Sequence, residues 1–276
     1  MTMKCKSPYV RTPTGVKPLQ FFSDEGLLAA SPFGCGQCLH CRINKTRITQ
    51  TKCILESYDY AHSDTSIYTL TYADEHLPPN HELRKKDFQD FMKRLRFAVS
   101  KLTGTPKQRI DKNGRKRGYY FEGGTTIRYF GVGEYGSRFG RPHYHLMLYG
   151  IGYGFQEVVV QSWPFGFVFP GNTGVSREFA RYCSGYLSKS NYQTDAPGGK
   201  PAEFQLMSKR PGLGARYIQR CAEIFNQKSS APPESTNTIK IDGKDWPLGR
   251  YLTKLFRDVL GITEEETEIP FQDMAR

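Results

Sequence analysis

His143-Tyr144-His145-Leu146-Met147-Leu148-Tyr149 is the stretch whose conformation decides how the rest of the chain is read. It is short, aromatic and apolar, which suits a strand, and strand side chains point alternately to opposite faces. Both imidazoles then share one face while Tyr144 takes the other. Two imidazoles one residue apart on a strand suit chelation of a single divalent ion. Glu134 stands nine residues upstream, near the end of a strand expected over Thr126–Glu134. Antiparallel pairing brings its carboxylate beside the histidines. Two His and one carboxylate leave open positions, the requirement for catalysis at a metal. The plainer use of His-x-His is two polar residues on a solvated sheet face.

Working outward, Ser66–Tyr72 (SIYTLTY) is β-branched and aromatic and predicts a strand. Pro78-Pro79 breaks the chain. From Arg84 to about Leu102 the spacing of Phe88, Phe91, Met92, Leu95, Phe97 and Val99 predicts an amphipathic helix with those six side chains inward. Asn113-Gly114 is a turn signal, so Gln108–Phe121 reads as a basic hairpin. Phe155–Trp163 predicts a short helix and Phe165–Phe169 a strand. Setting the hairpin aside, the order is strand, helix, strand, strand, helix, strand. That is the split βαβ pattern, an α+β, ferredoxin-like fold with an antiparallel sheet.

The flanks are less regular. Residues 1–37 are rich in Pro, Gly and turn formers and read as an irregular arm. A helix follows over Cys38–Ala61, with Ile43, Ile48, Cys53, Ile54 and Leu55 inward and Arg42, Lys45, Arg47 and Lys52 largely on the other face. Val175–Ser190 predicts a helix capped by Ser176. Beyond it come a Gly/Pro-rich loop, a helix near Ala215–Gln227, and a Ser/Pro linker at Ser229–Ser235. A hairpin over Ile239–Trp246, turning on Asp242-Gly243, and a helix over Leu248–Leu260 complete the chain. These breaks define an N-terminal Cys-rich arm and basic helix (1–62), a core with a tyrosine-bearing helix (63–228), and a linker, hairpin and C-terminal helix with an acidic tail (229–276).

Composition narrows the function classes. Lys and Arg number 39 against 27 Asp and Glu, a net charge of +12 over 276 residues. Thirteen basic residues face only Asp87, Asp90 and Asp111 between Arg84 and Gly118, whereas six acids face Arg276 alone from Asp258 onward. A basic centre with an acidic tail points to a polyanion, most simply nucleic acid. The 18 Phe and 17 Tyr supply core material and argue against wholesale disorder. No apolar run is long enough for a membrane span, and Met1–Val10 lacks the hydrophobic stretch of a signal peptide.

Two further patterns carry chemistry. Cys35-x2-Cys38-x2-Cys41, with Cys5 near the N-terminus, suggests thiolate metal binding rather than disulfides. Cys5 or His40 would complete a structural Zn²⁺ site; an iron–sulfur cluster fits less well, and three thiols could also be buried without metal. Tyr182-x3-Tyr186-x2-Lys189 lies along one face of its predicted helix. Such a stripe either packs into a core or offers a tyrosine nucleophile with a lysine to counter phosphate charge.

His-hydrophobic-His on a central strand, a tyrosine helix after it and a Thr-Leu-Thr strand before it resemble the HUH endonuclease superfamily of rolling-circle initiators. Cys35-Gly-Gln-Cys38-Leu-His-Cys41-Arg42, Gly133-Glu134-Tyr135-Gly136, Arg141-Pro142-His143-Tyr144-His145 and Met207-Ser-Lys-Arg-Pro-Gly-Leu-Gly214 resemble the replication initiation proteins of gokushoviruses, small single-stranded DNA phages of the microvirus family. The resemblance runs from about Cys5 to Tyr217. It implies an HUH-type sheet and an endonuclease that nicks one strand at the replication origin, stays linked to the 5′ phosphate through tyrosine, and rejoins the ends. On that resemblance His143, His145 and Glu134 hold Mg²⁺ or Mn²⁺, and Tyr182 and Tyr186 are the paired nucleophiles. Relatives among larger microviruses carry Lys three residues after each tyrosine. Here Lys189 follows Tyr186 at that offset, while Gly185 follows Tyr182. Arg115, Lys116, Arg117 and Arg141 are the expected DNA contacts. The implied partners are single-stranded origin DNA and, since no GxxxxGK[ST] loop is present, a host helicase and polymerase in the bacterial cytoplasm. The competing classes are a non-catalytic single-stranded DNA binding protein and a zinc-containing duplex-binding regulator.

Overall fold

A computed structural model describes residues 5–12, 15–19, 33–171, 195–196, 199–228 and 237–262. The chain divides into two compact units, one spanning Glu56–Leu213 and the other combining Met1–Leu55 with Gly214–Arg276.

The first unit contains β1 (Thr65–Tyr72), α1 (Lys85–Thr103), β2 (Arg128–Tyr135), β3 (Pro142–Tyr149), α2 (Gln156–Ser162), β4 (Gly166–Pro170) and β5 (Phe204–Met207). The sheet order is β5-β2-β3-β1-β4, and every pairing is antiparallel. The fold is therefore α+β with a five-stranded antiparallel sheet, and strand, helix, strand, strand, helix, strand follow one another as expected. The fifth strand was not expected. Phe204-Gln205-Leu206-Met207 is too short for a period to show, and it is a strand because it satisfies the open edge of β2.

Both helices pack on one face of the sheet. Phe88, Phe91, Met92, Leu95 and Val99 of α1 and Val159 of α2 meet Tyr68, Leu70, Tyr72, Tyr144, Leu146 and Leu148 from β1 and β3. Tyr144 is the centre of this layer. It has no exposed surface, its hydroxyl lies 2.8 Å from that of Tyr72, and it donates to the Arg84 carbonyl at 3.0 Å. Burial pushes the Tyr144 phenol up to about 12. Glycines in β2 make room for the rings: a Cβ on Gly131 would lie 2.3 Å from Phe88 Cζ, and one on Gly133 would lie 2.8 Å from Phe204 Cζ.

Two features of α1 and its hairpin depart from simple periodicity. Phe97, expected inward, is 60% exposed. It lies beyond the edge of the sheet and meets Phe121 at a ring separation of 5.8 Å instead. Phe121 belongs to the hairpin of Thr105–Ile110 and Lys116–Glu122, whose strands pair in the expected place. Asp111 Oδ1 accepts from the backbone N–H groups of Asn113 and Arg115 at the turn, both at 2.9 Å. A buried ion pair closes the unit elsewhere: Arg128 Nε donates to Glu56, and Arg128 Nη2 reaches the Gly212 carbonyl at 3.0 Å.

In the second unit, the arm expected to be irregular contains a small hairpin, Tyr9–Thr12 with Gly15–Pro18, and an isolated bridge from Tyr9 to Phe33. Backbone pairing orders it where side chains give no period. The helix Leu39–Ser57 stops short of Ala61, and Lys52 on its expected polar face is largely buried, which lowers its pKa. Helices Ala215–Lys228 and Gly249–Leu260 and the hairpin Thr238–Ile241/Lys244–Pro247 stand where expected. Asp242 and Gly243 both have positive φ, 46° and 72°, the requirement of a tight two-residue hairpin turn. The helix expected over Val175–Ser190 and the linker Ser229–Ser235 lie outside the described residues.

Candidate metal centre

The register of the sheet assembles the site. Glu134 of β2 stands directly opposite His143 of β3, and Val132 stands opposite His145. On the other side, Thr71 of β1 pairs with His143 and Thr69 with His145. Residues two apart share a face, so Glu134, His143, His145, Thr69 and Thr71 all lie on the face opposite Tyr144 and the helices. Glu134 Oε1 is 2.7 Å from His143 Nε2 and 2.9 Å from His145 Nε2. The three side chains are mostly buried, His143 being the most exposed at 19%.

The outer ring nitrogens show what this cluster is built to hold. His143 Nδ1 donates to the Arg141 carbonyl at 3.2 Å, and a carbonyl only accepts, so the proton of the neutral ring sits on Nδ1. Nε2 then presents a lone pair to a carboxylate oxygen, and only a shared cation makes that approach favourable. His145 is oriented in the same way, with Nδ1 3.0 Å from Thr69 Oγ1. A metal-binding imidazole characteristically has its second nitrogen held like this. Burial lowers the His143 pKa, but the hydrogen bond and charge of Glu134 outweigh burial and hold it above the usual histidine value. Burial likewise raises Glu134, and the two imidazoles outweigh it and leave the carboxyl below its usual range. The donor set, two nitrogens and one carboxylate on three converging side chains, fits a divalent cation with positions left open.

An open pocket of about 320 Å³ adjoins His143, lined by Thr71, residues 136–139 and Arg141-Pro142. Arg141 donates to Asp74 at 2.6 Å and to the Tyr72 carbonyl at 3.0 Å, which fixes the backbone whose carbonyl orients His143. The rows of the sheet continue from Thr71 to Phe167 and from Thr69 to Phe169 on β4. These two rings lie 6.4 Å apart and are 59% and 54% exposed. The residue pattern marks β4 as a strand without its register, so neither the threonines nor the phenylalanines stand out in the sequence as neighbours of the histidines.

The remaining expected residues fall in three groups. Arg115, Lys116 and Arg117 are exposed on the hairpin, with Arg117 Nε paired to Asp111 at 2.9 Å. Cys5, Cys35, Cys38 and Cys41 converge in the other unit. Tyr182, Tyr186 and Lys189 lie outside the described residues. Tyr72, Tyr135 and Tyr144, close to the triad in sequence, belong to the opposite face by strand alternation.

A family model for replication-associated proteins of the ORF2 type matches residues 65–191, a span that includes β1 to β4 and the triad. Replication-associated protein VP4 of Bdellovibrio phage phiMH2K is 26% identical over 240 residues, covering 81% of this chain and 67% of that protein. Replication-associated protein ORF4 of Chlamydia phage 1 is 28% identical over 119 residues, 43% of this chain and 24% of that protein. No solved structure matches the chain. In both its sheet and its flanks, then, the chain resembles the replication-associated proteins of small phages and is of the microvirus replication-initiator type.

Proposed function

We propose that the chain is an HUH-type nicking and joining endonuclease that starts rolling-circle replication of a single-stranded DNA phage. The observation that carries this reading is the convergence of His143 Nε2 and His145 Nε2 on Glu134 Oε1, with both outer nitrogens already committed. A simple DNA-binding surface has no use for such a set. Mg²⁺ or Mn²⁺ bound there supplies a Lewis acid to the scissile phosphate.

The protein's own groups do the rest. Glu134, His143 and His145 fix the position of the phosphate, and Arg141 adds positive charge beside the pocket. A tyrosine oxygen forms the new P–O bond, the bond to O3′ breaks, O3′ takes up a proton, and the phenol proton passes to water. The resulting 5′-phosphotyrosine conserves the ester, so the reverse attack by a 3′ hydroxyl rejoins strands without ATP. Tyr186, with Lys189 one turn away to counter phosphate charge, is the nucleophile of first cleavage, and Tyr182 acts in the transfer that closes the circle. Phe167 and Phe169 offer rings on which unpaired bases stack, and Arg115, Lys116 and Arg117 meet the phosphate backbone. Among the described residues no helix is long and apolar enough to cross a membrane. The place of action is the cytoplasm of the bacterial host, beside a host helicase and polymerase.

A single-stranded origin oligonucleotide with Mn²⁺ tests this directly. A covalent adduct on a denaturing gel is expected, mapping to Tyr186, with Tyr186→Phe nearly eliminating it and Tyr182→Phe still forming it but releasing few circles. Adducts on Tyr182 alone would reverse the two roles. Tight binding with no adduct would favour the non-catalytic single-stranded DNA binding protein.

A further inference from the structure

The thiol cluster is separate from everything above: it lies outside residues 65–191 and in the other unit. The Sγ atoms of Cys5, Cys35, Cys38 and Cys41 all lie within 4.8 Å of one another. Cys5 and Cys38 are 3.8 Å apart, and Cys35 and Cys41 are 4.0 Å apart. These two pairs share no atom, so they are opposite edges of a tetrahedron. Four sulfurs each about 2.3 Å from a central Zn²⁺ make edges of about 3.8 Å. A disulfide would need about 2.0 Å.

The backbone is shaped around the same point. Gly36 takes a φ of 75°, in the left-handed region, and turns the N–H groups of Gln37 and Cys38 onto Cys35 Sγ at 3.4 and 3.3 Å. Cys5 Sγ accepts from Ser7 N–H at 3.4 Å and Cys35 N–H at 3.3 Å. Donors aimed at sulfur favour the thiolate and hold it in place, as partners of metal ligands do. Gly34 is required for closure, since a Cβ there would lie 2.8 Å from Cys41 Sγ.

We propose that Cys5, Cys35, Cys38 and Cys41 hold a single structural Zn²⁺ that staples the N-terminal arm to the start of the helix Leu39–Ser57. Four protein sulfurs close the coordination shell, which is the arrangement of a structural rather than a catalytic zinc. Cys5, not His40, completes the set. The staple has a reason: the described part of residues 1–37 buries only Val10 as a core side chain, and so little apolar burial cannot order a segment of that length.

Elemental analysis of the full chain, purified without chelator, tests the proposal. One zinc per chain is expected in the wild type, in Cys221→Ser, and in His143→Ala, whose change lies in the other centre. Cys38→Ser should lose it. Titration of wild-type thiols with a mercurial reagent should release that zinc in step with four thiols, a readout that survives any folding defect in the variant. Cobalt substitution should give tetrahedral thiolate bands. Absence of bound metal from the wild type, stoichiometric iron in its place, or full zinc retention in Cys38→Ser would overturn the proposal. None of these outcomes depends on nicking, so failure here is distinct from failure of the endonuclease reading.

Discussion

The triad on the sheet and the thiol cluster of the arm converge equally well, yet they are built on opposite plans. Glu134, His143 and His145 come from two rigid strands locked by register, offer three mixed ligands, and sit beside an open pocket. The four cysteines come from a loop, a helix start and a distant strand approach, and their sulfurs enclose the centre completely. The difference teaches what each can do. A rigid scaffold with an unfilled coordination shell suits a changing ligand, while a closed shell on irregular backbone replaces the hydrophobic core that such backbone lacks.

The largest effect should come from removing a ligand of the open centre. His143→Ala or His145→Ala should drop nicking by more than about 100-fold, with unfolding temperature and zinc content near wild type. Nicking at the wild-type rate with added Mn²⁺ would remove the triad from catalysis. Next in size is the outer support of the triad. Thr69→Val removes the hydroxyl at His145 Nδ1 and should weaken Mn²⁺ binding about 10- to 100-fold, read by titrating metal against nicking rate. An unchanged metal dependence would mean the ring needs no orientation.

Glycines give a finer cut. Gly131→Ala pushes on Phe88 and should cost about 1–3 kcal/mol in chemical denaturation without touching zinc. Gly34→Ala pushes on Cys41 Sγ and should lower zinc retention under chelator challenge with nicking by bound protein little changed. Loss of zinc in the first variant, or none in the second, would contradict the separation of the two centres.

The smallest effects belong to the hairpin, which holds no metal. Neutralising Arg115 or Lys116 should reduce the slope of log affinity against log salt by about 1 for each phosphate left without its cation. Arg117 should matter less because Asp111 already pairs with it. The backbone N–H of Arg115 and then Arg117 hold the Asp111 carboxyl below the usual range. A depressed folded value contributes stability that is present above the ordinary aspartate pKa and lost as pH falls through the lowered one. Amide exchange at the turn should therefore be flat at neutral pH and quicken only in acid. Quickening near neutral pH would assign the turn's order to another group.

Much of the sheet was legible because its signals are local. Alternation in His143–Tyr149, the β-branched run Ser66–Tyr72 and the Asn113-Gly114 turn each depend on a few adjacent residues. The pairing of Glu134 with the histidines was legible for the same reason, since two consecutive antiparallel strands leave few registers. Phe97 was misplaced because helical period alone does not say where the sheet ends and Phe121 begins.

What the sequence determined by itself, then, was the order of elements, the shared face of the two imidazoles and the spacing of three cysteines, all set by backbone period and short-range turn chemistry. Only the tertiary structure decided that Phe204–Met207 joins the sheet, that Thr69 and Arg141 orient the rings, and that Cys5 closes the thiol tetrahedron. Each of those joins residues dozens of positions apart, and such meetings are fixed by unpaired strand edges and by which distant groups reach one point, neither of which leaves a period in the chain.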